Sequence, residues 1–254
     1  MENASCIFCG ATGANVKITR EHTFSDWINE VLPPEIVGPD ISCERSILHG
    51  PQAGTVNTWP AKEVAGHKLR AVCRTCNNGW MSDLEAAVRP LIEPMIKGYN
   101  ASLTTGQQIT VATWAGMKTA VFEYVWTDEP ILRATDREVM MTQDRPPASV
   151  QVRLAAVESN GYPLRALGRG YEARATGDKA ICLTLTIGVL VAQVFGGPGA
   201  GNHGFQKVGR TCPSFVGIYP PQLQAVAWPP SEALDDTSLT TFAHPLAPLT
   251  GASS

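Results

Sequence analysis

The sequence predicts an α+β protein in two parts. A metal-clipped N-terminal module spans residues 1–98, and a helix followed by an antiparallel sheet spans residues 99–254. Three observations lead there. Two C-x-x-C pairs, Cys6/Cys9 and Cys73/Cys76, bracket the first part. Residues Gln107–Val125 form a helical stretch that is apolar round much of its circumference (Ile109, Val111, Ala112, Ala115, Met117, Ala120, Val121, Tyr124), the mark of a buried helix. Runs rich in β-branched residues then follow at Val150–Val157, Tyr171–Ala175, Ala180–Phe195 and Leu223–Trp228. Helices succeeded by strands are the order of an α+β layout.

Composition narrows the function classes. The chain of 254 residues is 44% hydrophobic, enough to bury a core and too apolar for a disordered tail. Its net charge of -3 excludes the simplest nucleic-acid signature, a uniformly basic domain, though not a small basic cleft. The start, MENASCIFCG, lacks the basic and apolar regions of a signal peptide. No run reaches the roughly 18 apolar residues of a membrane helix. The longest, Ile181–Gly196, carries Thr, Gly and Gln and reads as buried strand that bends or splits at Gly188. The expectation is a soluble, cytoplasmic protein with no membrane partner. In a reducing compartment seven cysteines point to metal rather than disulfides.

Two residues between cysteines let one tight turn present both sulfurs to one tetrahedral ion. Gly10 follows the first pair, where such a knuckle needs positive φ. Four thiolates suit zinc, which is borderline-soft and accepts a closed site. The intervening loop, residues 10–72, is far longer than the roughly 15–20 residues of compact zinc ribbons. The alternative is four unrelated buried cysteines; a thioredoxin-like redox pair would leave the other pair unexplained. Cys43, Cys182 and Cys212 are isolated and read as small buried hydrophobes.

Between the pairs, Lys17–His22 is a short strand ending in Glu21 and His22, which on a strand face opposite ways. Ser25–Val31 is a brief helical stretch stopped by Pro33 and Pro34. Residues 34–66 read as a long loop with one hairpin. After Cys76, the spacing of Trp80, Leu84, Val88 and Leu91 predicts a helix beginning near Asn77 or Ser82 and kinked or ended at Pro90. Asn77 and Asn78 have an ordinary reading as helix-start residues that satisfy free backbone N–H groups. Asp83 and Glu85 read as solvated helix residues.

A C-x-x-C knuckle, an acid–His pair on a strand, and C-x-x-C-N opening a helix together resemble the HNH endonucleases. The run CRTCNNGWMSDLE with REHTFSDWI upstream is similar to HNH-type proteins of bacteria and phage over residues 4–98. The resemblance implies a ββα-metal, or treble-clef, finger. It implies a structural Zn²⁺ on Cys6, Cys9, Cys73 and Cys76. It places a catalytic Mg²⁺ or Mn²⁺ on Glu21 and on the side-chain carbonyl of Asn77, with Asn78 the adjacent fallback, and makes His22 the general base that activates water. An unperturbed imidazole, with a pKa near ~6.5, can take that proton at neutral pH, and a hard ion asks for oxygen ligands. The implied activity is phosphodiester hydrolysis in nucleic acid, DNA before RNA.

His49 and His67 lie in the connecting loop, His203 in a Gly-rich turn lacking the G-K-[ST] of a phosphate loop, and His244 in a Pro-rich tail; all read as solvated. Residues 99–254 show no chemical constellation. Basic residues there, among them Lys118, Arg137, Arg145, Arg153, Arg165 and Arg169, would serve DNA docking only by converging on one face; homodimer formation and contact with another protein are the other roles open to this region. Residues 230–254 read as extended. The rival to a nuclease is a zinc-stabilised DNA- or protein-binding module without catalysis.

Overall fold

The computed structural model describes residues 5–32, 40–48, 56–58, 68–126, 130–158, 164–173, 177–199 and 213–242. Strand β1 (Ile18–His22) pairs antiparallel with β4 (Lys68–Cys73), in the register Ile18↔Cys73 to His22↔Lys68, with an irregularity between Thr19 and Arg20. Short helix α1 (Ile28–Val31) follows β1. From β4 the chain passes through a helical turn α2 (Arg74–Cys76), a π-turn (Asn77–Met81) broken at Gly79, and α3 (Ser82–Ile96). Two paired strands and a helix thus stand where the motifs fall.

The sequence predicts that α3 is kinked or ended at Pro90; it does not end there but runs through Pro90 and Pro94. Each proline withholds the N–H that would bond the carbonyl four residues back, at Ala86 and Pro90. Four residues is one helical turn, so both bare carbonyls lie on one side. Ala86 and Pro90 are exposed, so water can satisfy that side while Val88, Ile92, Met95 and Ile96 bury the other.

Strand β5 (Ala101–Leu103) pairs with β11 (Val226–Trp228), and α4 (Thr105–Trp126) follows β5. Every residue of α4 from Val111 to Glu123 is buried, as the all-round apolar pattern predicts. Its polar side chains are satisfied locally or by name: Thr113 and Thr119 donate to the carbonyls of Ile109 and Ala115, and Glu123 accepts from the backbone N–H groups of Ile131 and Leu132.

A seven-stranded sheet carries the rest. Its order is β10 (Val216–Tyr219), β6 (Gln151–Ala156), β9 (Leu190–Gly196), β8 (Lys179–Ile187), β7 (Leu164–Ala173), β2 (Asp40–Leu48), β3 (Val56–Thr58). All neighbours are antiparallel except β2 and β7. The hairpin expected within residues 34–66 is β2–β3, and β2 crosses into the C-terminal sheet by its parallel pairing with β7. The apolar run Ile181–Gly196 is indeed buried strand and splits at Gly188, whose φ of +56° turns β8 into β9.

Strand β5, in residues 99–105 that read from the sequence as a polar link, was not expected, and neither were three further elements. Helix α5 (Ala134–Gln143) begins with Asp136 accepting from the backbone N–H of Arg133 and closes on left-handed Asp144. Strand β10 closes one sheet edge. Helix α6 (Asp236–Phe242) replaces extended chain in the C-terminal stretch, with Asp235 accepting from the N–H of Ser238. One cluster of buried residues runs from Cys6 and Phe8 through α3 and α4 to Leu183, Val194 and Trp228, so the two halves share a core. No helix among the described residues is long and apolar enough to cross a membrane.

Candidate functional site

The four motif cysteines come together. Each of Cys6, Cys9, Cys73 and Cys76 offers one Sγ, and these atoms lie within 4.8 Å of one another. The Cys9 and Cys73 sulfurs are 3.7 Å apart. A tetrahedral zinc with bonds of about 2.3 Å requires sulfurs about 3.8 Å apart, so the donor set is close enough to bind a metal such as zinc. Local structure explains the convergence. Gly10 donates its N–H to the Cys6 carbonyl with φ at +68°, the expected knuckle. Ile7 donates to Ala71 of β4, which lays the knuckle on the strand that delivers Cys73. Cys73 then opens α2, its Sγ accepting from the N–H of Cys76. Burial raises the Cys6 thiol, but backbone hydrogen bonds at Cys73, Cys9 and Phe8 outweigh it and bring it down to about 7, whereas burial and the neighbouring thiols push Cys9 and Cys76 up, so without a cation the four sulfurs do not ionise together.

The C-terminal region closes over this cluster. Arg137 of α5 donates to the carbonyls of Ile7 and Leu132, and the Cys76 sulfur lies 3.9 Å from that of Met141. Phe8 and Trp80 meet edge to face at 4.9 Å.

Beside the cysteines lies a cavity of about 660 Å³ between the end of β1, α1 and the start of α3. Glu21, His22, Asn77 and Asn78, all singled out from the sequence, line it together with Ser25, Asp26, Trp27, Glu85 and Arg89. Glu21 is buried and His22 half-buried, and both border the cavity at the end of β1. The His22 Nε2 atom is buried without a hydrogen-bond partner; Asp26 Oδ1 stands 3.7 Å away, beyond hydrogen-bonding distance. Burial, seconded by Lys68 across the strand pair, pushes the His22 pKa below its ordinary value, so the ring is neutral at neutral pH.

Glu21 is not a lone carboxylate. Its Oε1 lies 3.2 Å from Nζ of Lys118, a fully buried lysine on α4. The same Nζ is 2.7 Å from Glu85 Oε1 and 3.3 Å from the His22 carbonyl oxygen. Glu85 also accepts from Ser25 Oγ at 2.7 Å and from Trp27 Nε1 at 3.1 Å. Glu85 is therefore no solvated helix residue, a correction to the sequence reading; Asp83 is exposed as expected. Burial raises the Glu85 carboxyl, but Lys118 and the bonds from Ser25 and Trp27 outweigh it and hold it below the usual range. The two carboxylates likewise outweigh burial on Lys118 and keep it charged. Asn77 spends its amide nitrogen on Thr19 Oγ1 at 3.0 Å, and Thr19 donates to the Val72 carbonyl, which ties the helix start to both strands.

Sequence reading missed Lys118, Glu85, Ser25, Trp27 and Trp114, whose Nε1 lies 3.4 Å from Ser25 Oγ. One signal was available: Lys118 is the only charged residue between Val111 and Phe122. Of the basic residues offered for docking, Lys118, Arg137, Arg153 and Arg169 are buried, so they form no phosphate-facing surface. Arg153 instead donates to Gln193, which donates to Thr184 across the sheet. Cys182 is a buried hydrophobe as expected, its thiol pushed up to about 12 by burial. The side chain of Cys43, together with Cys212, His49, His67, His203 and His244, lies outside the described residues. No protein-family model, curated protein or solved structure matches the chain.

Proposed function

We propose that this protein is a metal-dependent HNH-type endonuclease that hydrolyses phosphodiester bonds in nucleic acid, DNA in the first instance, on a zinc-held ββα (treble-clef) finger. The observation that carries this reading is His22. It lines a cavity shared with Glu21, Asn77 and Glu85, at the end of the strand that pairs with the cysteine-bearing β4, and its neutral ring has a buried Nε2 without a hydrogen-bond partner. Nε2 takes the proton of the attacking water, and Asp26 Oδ1, 3.7 Å away, stabilises the imidazolium that forms. Glu21 and Asn77 offer oxygen atoms that suit Mg²⁺ or Mn²⁺. Such an ion, when bound, polarises the scissile phosphate and stabilises the leaving oxygen. The cavity needs a cation for another reason: its lining includes Glu21, Asp26, Glu30 and Glu85 against Arg89, a surface that repels a polyanion.

A second reading, a zinc-stabilised binding module without turnover, is favoured by one pair of contacts. Glu21 Oε1 is committed to Lys118 and the Asn77 amide to Thr19, so both residues have structural employment. Nicking of supercoiled plasmid by the zinc-loaded protein with Mg²⁺ or Mn²⁺ decides between them. Wild type cuts, and His22→Ala loses about 10²–10⁴ in rate while keeping its zinc and melting behaviour. Equal cutting by both proteins points to a contaminant or another base. No cutting of DNA or RNA by a folded, zinc-loaded protein selects the binding module.

A further inference from the structure

We propose that Lys118 is a positioning residue of this site, so that α4, from the C-terminal region, completes the pocket of the N-terminal finger. This rests on the nuclease reading above. Lys118 is the one charged residue between Val111 and Phe122, in a helix stretch that is buried throughout and mostly apolar. An ammonium there costs several kcal/mol of desolvation, which its partners offset only with good geometry, and a hydrophobic residue of similar volume often serves stability as well or better. Packing alone therefore does not call for lysine.

The contacts say what it does instead. One nitrogen touches two consecutive residues at the end of β1, the Glu21 carboxylate and the His22 carbonyl, and one residue of α3, Glu85. It fixes the strand bearing the base against the helix that walls the cavity. Glu85 passes the constraint to Ser25 and Trp27, and Trp114, one turn before Lys118 on α4, also reaches Ser25. The three partners of Lys118, Glu21, His22 and Glu85, line the cavity, as do Ser25 and Trp27. Two carboxylates against one ammonium also leave the trio with one net negative charge, a fixed charge suited to a cation.

Removing Lys118 alone would strand two buried carboxylates and endanger the fold. The test therefore uses the full-length, zinc-loaded chain with the charge-conserving pair Lys118→Met/Glu85→Gln, measured against Glu85→Gln alone and against Lys118→Arg. Two readouts are taken: kcat and KM for plasmid nicking, and Mn²⁺ binding without DNA, followed by electron paramagnetic resonance. Each protein is assayed below its melting midpoint, after a folded far-UV spectrum at that temperature. A displacement of about 1 Å can cost about 10²-fold. The double variant is thus expected to fall about 100-fold below Glu85→Gln in kcat with KM within about twofold, and to bind Mn²⁺ at least about tenfold more weakly than wild type, whose trio carries the same net charge. Lys118→Arg, which keeps charge and donors, stays within about tenfold of wild type. A double variant that cuts as Glu85→Gln does and binds Mn²⁺ as wild type does overturns the proposal and leaves the nuclease reading standing. A wild-type protein that neither cuts nor binds Mn²⁺ overturns that reading and the proposal with it.

Discussion

Glu123 carries a carboxyl group into the middle of the shared core, where it accepts from the N–H groups of Ile131 and Leu132. Burial pushes its pKa up to about 7 from an ordinary 4.5, against the pull of those N–H groups and Arg137. The folded state therefore holds a proton that the unfolded chain releases at lower pH. Stability from this group falls as pH rises from about 4.5 through about 7, by on the order of 3 kcal/mol, and stays low above that. Glu123→Gln keeps an oxygen for both N–H groups and removes the charge. Urea unfolding at pH 8 is expected to show the variant more stable than wild type, with the difference vanishing near pH 4; equal stability at pH 8 would refute the argument. At this scale legibility was uneven. The four cysteines, Glu21, His22 and Asn77 were readable because each motif packs its partners into a few residues. Lys118 and Glu85 were not, because the contact joins residues far apart in sequence, and nothing in either neighbourhood names the other.

Among elements, the β8–β9 turn shows what local chemistry can announce. Gly188 interrupts a β-branched run, and the strand splits there because only glycine fits both its φ of +56° and its approach to α3. A Cβ at this position would stand 2.4 Å from the carbonyl oxygen of Ile96, which also accepts from the N–H of Val189. The left-handed backbone alone costs an L-residue about 1–2 kcal/mol, and the collision adds to it. Gly188→Ala is expected to lower the denaturant midpoint with an unchanged m-value, and a midpoint equal to wild type would count against this account. Helix α3 shows the opposite. Its prolines read as breakers, but their bare carbonyls face water while a buried stripe holds the helix, so tertiary packing overrides propensity. Helix α5 lacked an apolar run to announce it. It is held by Asp136 at its start and by Arg137 reaching the cysteine knuckle at Ile7.

At the level of the whole molecule, the two-part expectation captured the order of the chain but not how its parts engage. The core is continuous from the cysteine knuckle to the sheet, and α4 and α5 both send side chains into the N-terminal region, at Glu21 and at the Ile7 carbonyl. Loss of the metal should therefore be felt throughout. Structural zinc supplies about 10–16 kcal/mol of apparent binding energy in isolated fingers, against about 5–15 kcal/mol for the stability of a typical domain. Cys73→Ser, or chelation of the zinc-loaded protein, is expected to move a single calorimetric transition down by about 10 °C or more; two separated transitions would show instead that the finger melts alone. The parallel pairing of β2 with β7 also imposes a timetable on synthesis. Asp40 must wait for Arg165, about 125 residues later, before its strand has a neighbour on that side. At about 5–20 residues per second the ribosome takes about 6–25 s to deliver it, whereas β1 and β4 can close around the cysteines as soon as Cys76 emerges. During that interval the nascent chain carries a paired β1–β4 and its four cysteines, still without α4 and α5 to cover them, beside an unpaired strand edge, the interval in which a chaperone would have most to do.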